Sequence, residues 1–487
     1  MAHILHVTRL WRAGDEGQGI RVGVISGGAK NFRVLARNRI LPNDVVRFGQ
    51  GRGRGDEGDW MLQVVHDIAP RAQLAFCPGG APRQTVACAK RLIDCFHAAI
   101  VVDDINPQPV FFVPTAKARG YARLLQRHLQ VLFFTGAGNN GGGYCQGTWR
   151  PQAVCMGARR LDAQTFGASG RPYDRLWVSP GAQAVVLLGT DGSAAHPGGC
   201  SSTGGPTRLI VTDRAGRMLA ETLSECPLMH VRLRNNGARV AHWRVYVLRR
   251  HRSWLGGAMK LVASRTGLGV SPLWLSDHTQ GWAGSSATSP GLMAVAAVDP
   301  GSGDHGRYLP EAYANGGPQC WHLGGATAGR PSGIARGCIR QPVFAAPDRT
   351  QVAMPAGNAR GYRDKPFTGD SAASPAAAGA AALLLAKRVA PQEIESLLEH
   401  TARPQGAVVG WTSPRERTPR TVFVLRERVM NRGADQPLFI AACGGDEAAA
   451  RRLRRHARAG DPIAQSLLGT LCNRGWGLAP DPRAAHA

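Results

Sequence analysis

Between residues 19 and 141 the chain alternates short apolar runs with amphipathic ones, and that alternation leaves few architectures open. Residues 19–28, Gly-Ile-Arg-Val-Gly-Val-Ile-Ser-Gly-Gly, read as a buried strand running into a glycine turn. A loop rich in Gly, Arg and Asp (49–58) leads to a helical pattern over 60–68, with Met61, Leu62, Val64, Val65 and Ile68 apolar and Pro70 as its stop. A second strand (72–77), an amphipathic helix (83–96) and a third strand (99–105) follow, the last with Asp103 and Asp104 at its C-terminal end. Another helix (116–129) and strand (131–134) run into Gly-Ala-Gly-Asn-Asn-Gly at 136–141. Strands and helices alternating at this spacing predict a parallel sheet covered on both faces. In such sheets the C-terminal strand ends carry the site.

The period changes between 177 and 274. Short runs of alternating polarity (184–188, 207–213, 242–248) are separated by Gly, Asn and Ser turns, as in an antiparallel β-sandwich. The parallel pattern returns at 291–299, and 392–401 reads as a closing helix. The expected organisation is an α/β domain over 1–180 and 281–405, an inserted β-sandwich over 181–280, a linker at 406–436 and a helix-turn-helix unit at 437–487. One such unit cannot bury both its faces, so it docks on the body or belongs to a longer array.

Phe367-Thr368-Gly369-Asp370-Ser371-Ala372-Ala373-Ser374-Pro375 precedes an Ala-rich run. Gly369 permits a tight turn and Pro375 suits the first turn of a helix. Ser371 would then stand at a helix N-terminus, where amide N–H groups favour negative charge, as an acyl-transfer nucleophile requires. The same residues also suit a plain capped, buried helix.

The formal net charge of +26 is nearly all arginine and is dispersed along the chain, and aromatic residues make up only 6%. A nucleic-acid face calls for clustered charge interleaved with rings, so nucleic acid is not the expected partner. Eleven cysteines cannot all pair within one chain, and their spacing offers no CxxC pair for zinc. Cys145 and Cys155 flank a glycine-rich loop and read either as a bridge or as buried thiols. No apolar run is long enough to span a membrane, and residues 1–19 have no export-signal core. That reading leaves a cytoplasmic protein or a fragment of an exported one.

These motifs, taken in order, resemble the subtilisin-like serine peptidases. Gly369-Asp370-Ser371-Ala372-Ala373-Ser374-Pro375 with Gly379 is similar to the family's serine motif, apart from Asp370. Gly136-Ala137-Gly138-Asn139 resembles its oxyanion segment, and Val22-Gly23-Val24-Ile25 the strand that carries its aspartate. Glu57-Gly58, the helix after it and Ile68-Ala69-Pro70 resemble its His-Gly motif, and Ala345-Pro347-Asp348 the stretch before the serine. The likeness covers residues 19–180 and 280–405, and the tail resembles a Sel-type, tetratricopeptide-like repeat, a family used for protein contact.

The resemblance implies a subtilisin-like parallel sheet with helices on both faces, an inserted antiparallel β-sandwich and a small α-helical C-terminal repeat. It implies peptide-bond hydrolysis through Ser371, with Asn139 in the oxyanion hole and no cofactor; many relatives bind calcium, but no acidic loop here has convincing ligand spacing, so no metal ligands are assigned. The aspartate position holds Ser26-Gly27-Gly28 and the histidine position holds Glu57. Sedolisins, relatives with the same fold, pair serine with glutamate, and Glu57 sits where that glutamate would be. Their aspartate one helical turn on is Met61 here, and Asp59 points to another face.

Asp103 or Asp104 is therefore expected to orient Glu57 or to line the substrate pocket, the alternative being a solvated strand end. Glu57 also reads as a helix-start residue, and Asn139 as a turn residue. His66, beside Asp67 at a helix end, has the wrong offset for a base. Two functional readings follow: a serine endopeptidase acting on peptide or protein, and an inactive relative that binds peptides. Both leave the C-terminal repeat as a surface for a protein partner.

Overall fold

The computed structural model describes residues 1–49, 53–105, 115–156, 158–167, 170–190, 206–224, 228–250, 258–265, 273–276, 289, 291–302, 308–311, 313–316, 319–323, 335–339, 341–355, 362–403, 421–423 and 447–458. The framework is a parallel sheet. Its strands are β1 (Arg21–Ser26), β2 (Val46–Arg47), β3 (Gln73–Pro78), β4 (Ile100–Asp103) and β5 (Leu132–Gly136), with two more from the second half of the chain. After β1 the helices are α2 (Phe32–Arg37), α3 (Glu57–Ile68), α4 (Pro82–Asp94) and α5 (Ala116–Arg127); α1 (Thr8–Arg12) lies before β1.

The antiparallel strands are β6 (Tyr144–Thr148), β7 (Pro151–Met156), β8 (Arg159–Gln164), β9 (Asp174–Val178), β10 (Gln183–Thr190), β11 (Thr207–Thr212), β12 (Met218–Ser224), β13 (Leu228–Arg234), β14 (Ala241–Arg250), β15 (Ala258–Arg265) and β16 (Trp274–Leu275). The parallel sheet resumes with β17 (Met293–Val298), followed by the hairpin β18 (Gln319–Leu323) and β19 (Ala335–Ile339), and then β20 (Phe344–Pro347). A second hairpin, β21 (Thr350–Pro355) with β22 (Tyr362–Phe367), delivers the chain to α6 (Asp370–Ala386) and α7 (Pro391–Thr401).

The parallel order is β2-β3-β1-β4-β5-β17-β20, so β1, β4 and β5 are neighbours and their C-terminal ends share one edge. The register sets Ile25 opposite Asp103 and Asp103 opposite Thr135. Both faces of the sheet are apolar. Val22, Val24, Ile100, Val102 and Phe134 pack with α3 and α6, whereas Ile25, Ala75, Val101 and Phe133 pack with α4 and α5.

Helix α6 is buried on every side over residues 370–384, which its Ala-rich sequence permits. It packs against α3 so closely that a Cβ on Gly379 would lie 2.9 Å from Ile68 Cβ. Gly369, at φ +97°, is its N-cap, so the helix begins one residue before Ser371 and Pro375 lies beyond the first turn. The proline there removes the N–H that would bond the Ser371 carbonyl.

All the antiparallel strands from β6 to β16 lie in the connection between β5 and β17. One sheet runs β13-β10-β15-β6 and the other β12-β11-β14-β8-β7, with β9 and β16 at its side. Leu176, Val186, Leu188, Leu209, Val245, Val247 and Leu261 form a core between them. The unit therefore begins at Tyr144, earlier than the expected 181. Strands β6 to β8 have half-exposed, arginine- and glutamine-rich patterns that hide their alternation.

Cys77 and Cys88 form a disulfide tying β3 to α4, while Cys145 and Cys155 stand as thiols. Within 406–436 only 421–423 are described, and these form strand β24 (Thr421–Phe423), which pairs with β23 (Ala402–Arg403). In the expected repeat, Glu447–Arg458 is a helix; the rest of 437–487, including the second helix, lies outside the described residues. Among the described residues no helix is long and apolar enough to cross a membrane.

The α3–α6 contact gives the first test. Gly379→Ala is expected to cost about 1–3 kcal/mol through overpacking against Ile68, read by urea denaturation, and Gly379→Leu to abolish the cooperative transition. A Leu variant as stable as the parent would show that the two helices are not locked together.

Candidate active site

Strand ends and two helix N-termini bring the candidate residues together. Glu57 is the first residue of α3, and Ser371 the second of α6. Ser26 closes β1, Asp104 follows β4, and Gly136 ends β5. The Ser26 hydroxyl donates to Glu57 Oε2 at 3.2 Å. The Glu57 carboxyl also hydrogen-bonds with the Ser371 hydroxyl and the Asp104 carboxyl, with the Lys365 ammonium nearby. Lys365 Nζ sits 3.6 Å from the centre of the Trp60 ring. Asp104 hydrogen-bonds with Ser371 as well.

Glu57, Asp104 and Ser371 thus converge, and Ser371 is only 8% exposed. Burial pushes the Glu57 carboxyl above the usual carboxylate range, against the hydrogen bonds from Ser371, Ser26 and Asp104. Burial raises Asp104 much further, and the charges of Glu57, Asp370 and Asp103 add to it.

Asp103 does not join this group, because adjacent strand residues project to opposite faces. Its carboxylate accepts from the Tyr121 hydroxyl at 2.9 Å and lies 2.5 Å from Lys117 Nζ, on the α5 side. Burial lowers the Lys117 pKa, and the charge of Asp103 opposes that shift. The result is a closed buried ion pair.

The 136–141 segment is held by Asn315, whose Nδ2 donates to the Ala137 carbonyl at 2.9 Å and whose Oδ1 accepts from the Asn140 amide at 2.9 Å. Asn139 faces the serine turn, and its Oδ1 accepts from the Asp370 backbone N–H at 3.1 Å. The Asp370 carboxyl takes hydrogen bonds from the Gly138 amide, the Asn139 side chain and the Ser371 amide. Burial raises its pKa to about 6, with the Glu57 charge adding to the rise and the Gly138 amide and the other donors opposing it.

Asp370 therefore engages the Ser371 N–H and the Asn139 amide, the donors assigned from the sequence to a developing oxyanion. The site also needs a bare backbone at Gly136, where a Cβ would fall 2.3 Å from Asp370 Oδ2 and 3.1 Å from Asp104 Oδ1. Behind the turn, Asp348 Oδ2 accepts from the Gly369 amide at 2.7 Å and from the Tyr313 hydroxyl. Arg349 pairs with Glu311 at 2.5 Å and with Asp299 at 3.3 Å.

Ser26 and Asp370 had entered the sequence reading only as departures from a motif. Their positions, a strand end and the residue before the serine, were the available signals. Asp59 is tied by the Asn31 amide at 2.9 Å, and His66, at the far end of α3, is not among the groups that contact Ser371. Among the described residues no group of three or more His, Cys, Asp or Glu side chains is arranged to hold a metal ion.

These carboxyls predict the pH dependence of stability. Asp370, raised to about 6, binds a proton in the folded state over a range where the unfolded chain has released it. Stability therefore falls as pH rises from about 4 towards 7. Asp59 and Asp348, each pushed up to about 7 mainly by burial, act in the same direction. The melting temperature is expected to rise as pH is lowered from 7.5 to about 5. Asp370→Asn is expected to flatten that slope and to raise the melting temperature at pH 7.5. An unchanged slope in the variant would contradict this account.

No protein-family model matches the chain, and no curated protein sequence matches it. Among solved structures it is similar to the Clostridium perfringens CspB protease, with a TM-score of 0.52 and 13% identity over 89% of this chain and 99% of that one. A lanthipeptide protease follows at TM-score 0.44 and 11% identity, covering 88% of this chain and 94% of the other. The patellamide maturation protease PatG has a TM-score of 0.40 and 12% identity, covering 87% and 94%. At this identity the likeness is one of fold, and the fold is that of the subtilisin-like proteases.

Proposed function

We propose that the chain is a serine endopeptidase in which glutamate replaces the usual histidine. The Ser371 hydroxyl oxygen attacks the peptide carbonyl carbon while its proton passes to Glu57. The proton then goes to the leaving amine, and water, deprotonated by the same carboxylate, hydrolyses the acyl-enzyme. Asp104, neutral because its pKa is raised so far, donates to Glu57 and keeps it ionised and oriented. The observation that carries the reading is the hydrogen bond between Ser371 and the half-buried Glu57 carboxyl, joining residues far apart in the chain.

The oxyanion donors are the Ser371 N–H and the Asn139 amide. An ionised Asp370 competes for both and repels a second anion, so activity is expected only once Asp370 is protonated, below about pH 6. Glu57 must remain ionised in the same range, which gives a narrow acid optimum. The substrate is a peptide or protein, and the Sel-type repeat suggested by the tail would recruit a protein partner.

A second reading rests on that same Asp370. If its carboxylate never yields the donors, the protein keeps the fold as an inactive peptide-binding module.

A fluorophosphonate serine probe separates the two across pH 4 to 8. The endopeptidase reading expects labelling that is absent in Ser371→Ala, reduced at least a hundredfold in Glu57→Gln and strongest in mild acid. Asp370→Asn is expected to carry labelling up to neutral pH. No labelling of the folded wild type or of Asp370→Asn at any pH overturns the endopeptidase reading and leaves the binding module.

A further inference from the structure

The outer face of the inserted sheet carries an arrangement that the proposed peptidase chemistry does not use. Strands β9 and β14 pair so that Arg175 lies directly opposite Arg244, and Trp177 opposite His242. The residues between them, Leu176, Trp243 and Val245, turn inward to the core. Next in the row, the Tyr173 and Tyr246 rings stand 5.3 Å apart, and the Arg244 guanidinium sits 4.9 Å from the Tyr173 centroid. The outward-facing residues other than Tyr246, together with Arg214 in the turn after β11 and part of Trp243, line an open hollow of about 420 Å³, within the range that holds a small ligand.

Like charges directly opposed across two strands are destabilising unless a counter-charge joins them. The nearby carboxylates are otherwise engaged. Asp213 pairs with Arg217 at 2.8 Å, and Asp174 is buried and accepts from the Ser276 hydroxyl at 2.6 Å. No described carboxylate forms an ion pair with Arg175, Arg214 or Arg244. Two guanidiniums on directly opposed residues match one compact dianion, which each fork can grip through two N–H groups. The indole, imidazole and phenol rings beside them match a flat ring attached to that dianion.

We propose that this hollow is a binding site for a small ring compound carrying a phosphoryl group, of the aryl phosphate or nucleoside monophosphate class. The phosphoryl group bridges Arg175 and Arg244, Arg214 supplies a third cation, and the ring lies against Trp177 and His242. The site is built wholly from the inserted sandwich and stands whether or not Ser371 is a nucleophile.

Calorimetric titration of the full chain with adenosine monophosphate, O-phosphotyrosine and inorganic phosphate at moderate salt tests the proposal. Saturable binding of at least one ring phosphate is expected, at least tenfold tighter than inorganic phosphate, and whichever of the two binds more tightly identifies the ring class. Arg244→Gln and Trp177→Ala are each expected to weaken it at least tenfold, and Arg232→Gln, on the other sheet, to leave it unchanged. Without ligand, Arg244→Gln should melt no lower than the parent, since it removes a like-charge pair; this separates lost binding from lost fold.

The proposal is overturned if neither ring phosphate binds saturably. It is also overturned if inorganic phosphate binds as tightly as the ring compounds, or if Arg232→Gln weakens binding as much as Arg244→Gln.

Discussion

One carboxyl group, half-buried at the sheet edge and gripped by two hydroxyls, organises this molecule. Glu57 accepts from Ser26 and bonds with Ser371, and neither contact could form without the parallel sheet. The sheet order brings the ends of β1, β4 and β5 side by side, and α3 and α6 then aim their N-termini at that edge. Much of the rest serves this placement. Asp348 and Tyr313 hold the Gly369 turn, Asn315 holds the segment opposite, and Gly136 provides a floor without a side chain.

Burying several acids in one place is costly, and proton sharing is the physical escape. Poor solvation raises the pKa values of Asp104, Glu57 and Asp370 together, and neighbouring carboxylate charges add to the rise at Asp104 and Asp370, so the group as a whole is less ionised than isolated acids would be. Asp103 has different company one residue away: its carboxylate lies against the Lys117 ammonium on the far face of the sheet. Two adjacent aspartates thus meet different electrostatic fates because a strand alternates its sides.

The framework was largely legible before any coordinates. Uninterrupted apolar runs in β1, β3, β4 and β5, and helices bounded by Pro70 or begun near Pro82, leave little freedom in a parallel sheet. Glu57 and Ser371 could be paired because both stand at helix starts at known points of a recognisable order. The start of the inserted sandwich was not legible, since β6 to β8 are half-exposed and their polarity does not alternate cleanly. The Cys77–Cys88 bridge was missed because one partner lies on a strand and the other on a helix, and only tertiary packing brings them together. Asp370 read as a blemish in a motif; only the surrounding amides show what its carboxyl touches.

The position of α6 has a consequence for the making of the protein. It is the innermost helix, yet it lies after residue 369, so strands β1 to β5 and the whole inserted sandwich leave the ribosome before it exists. Until then the face that α3 and α6 share is only partly covered, and Ile100, Val102 and Phe134 on β4 and β5 lack the helix that closes over them. A nascent chain in that condition is prone to stick to others. It also carries no Ser371, so whatever chemistry the serine performs cannot begin until the last large piece of the core has dropped into place.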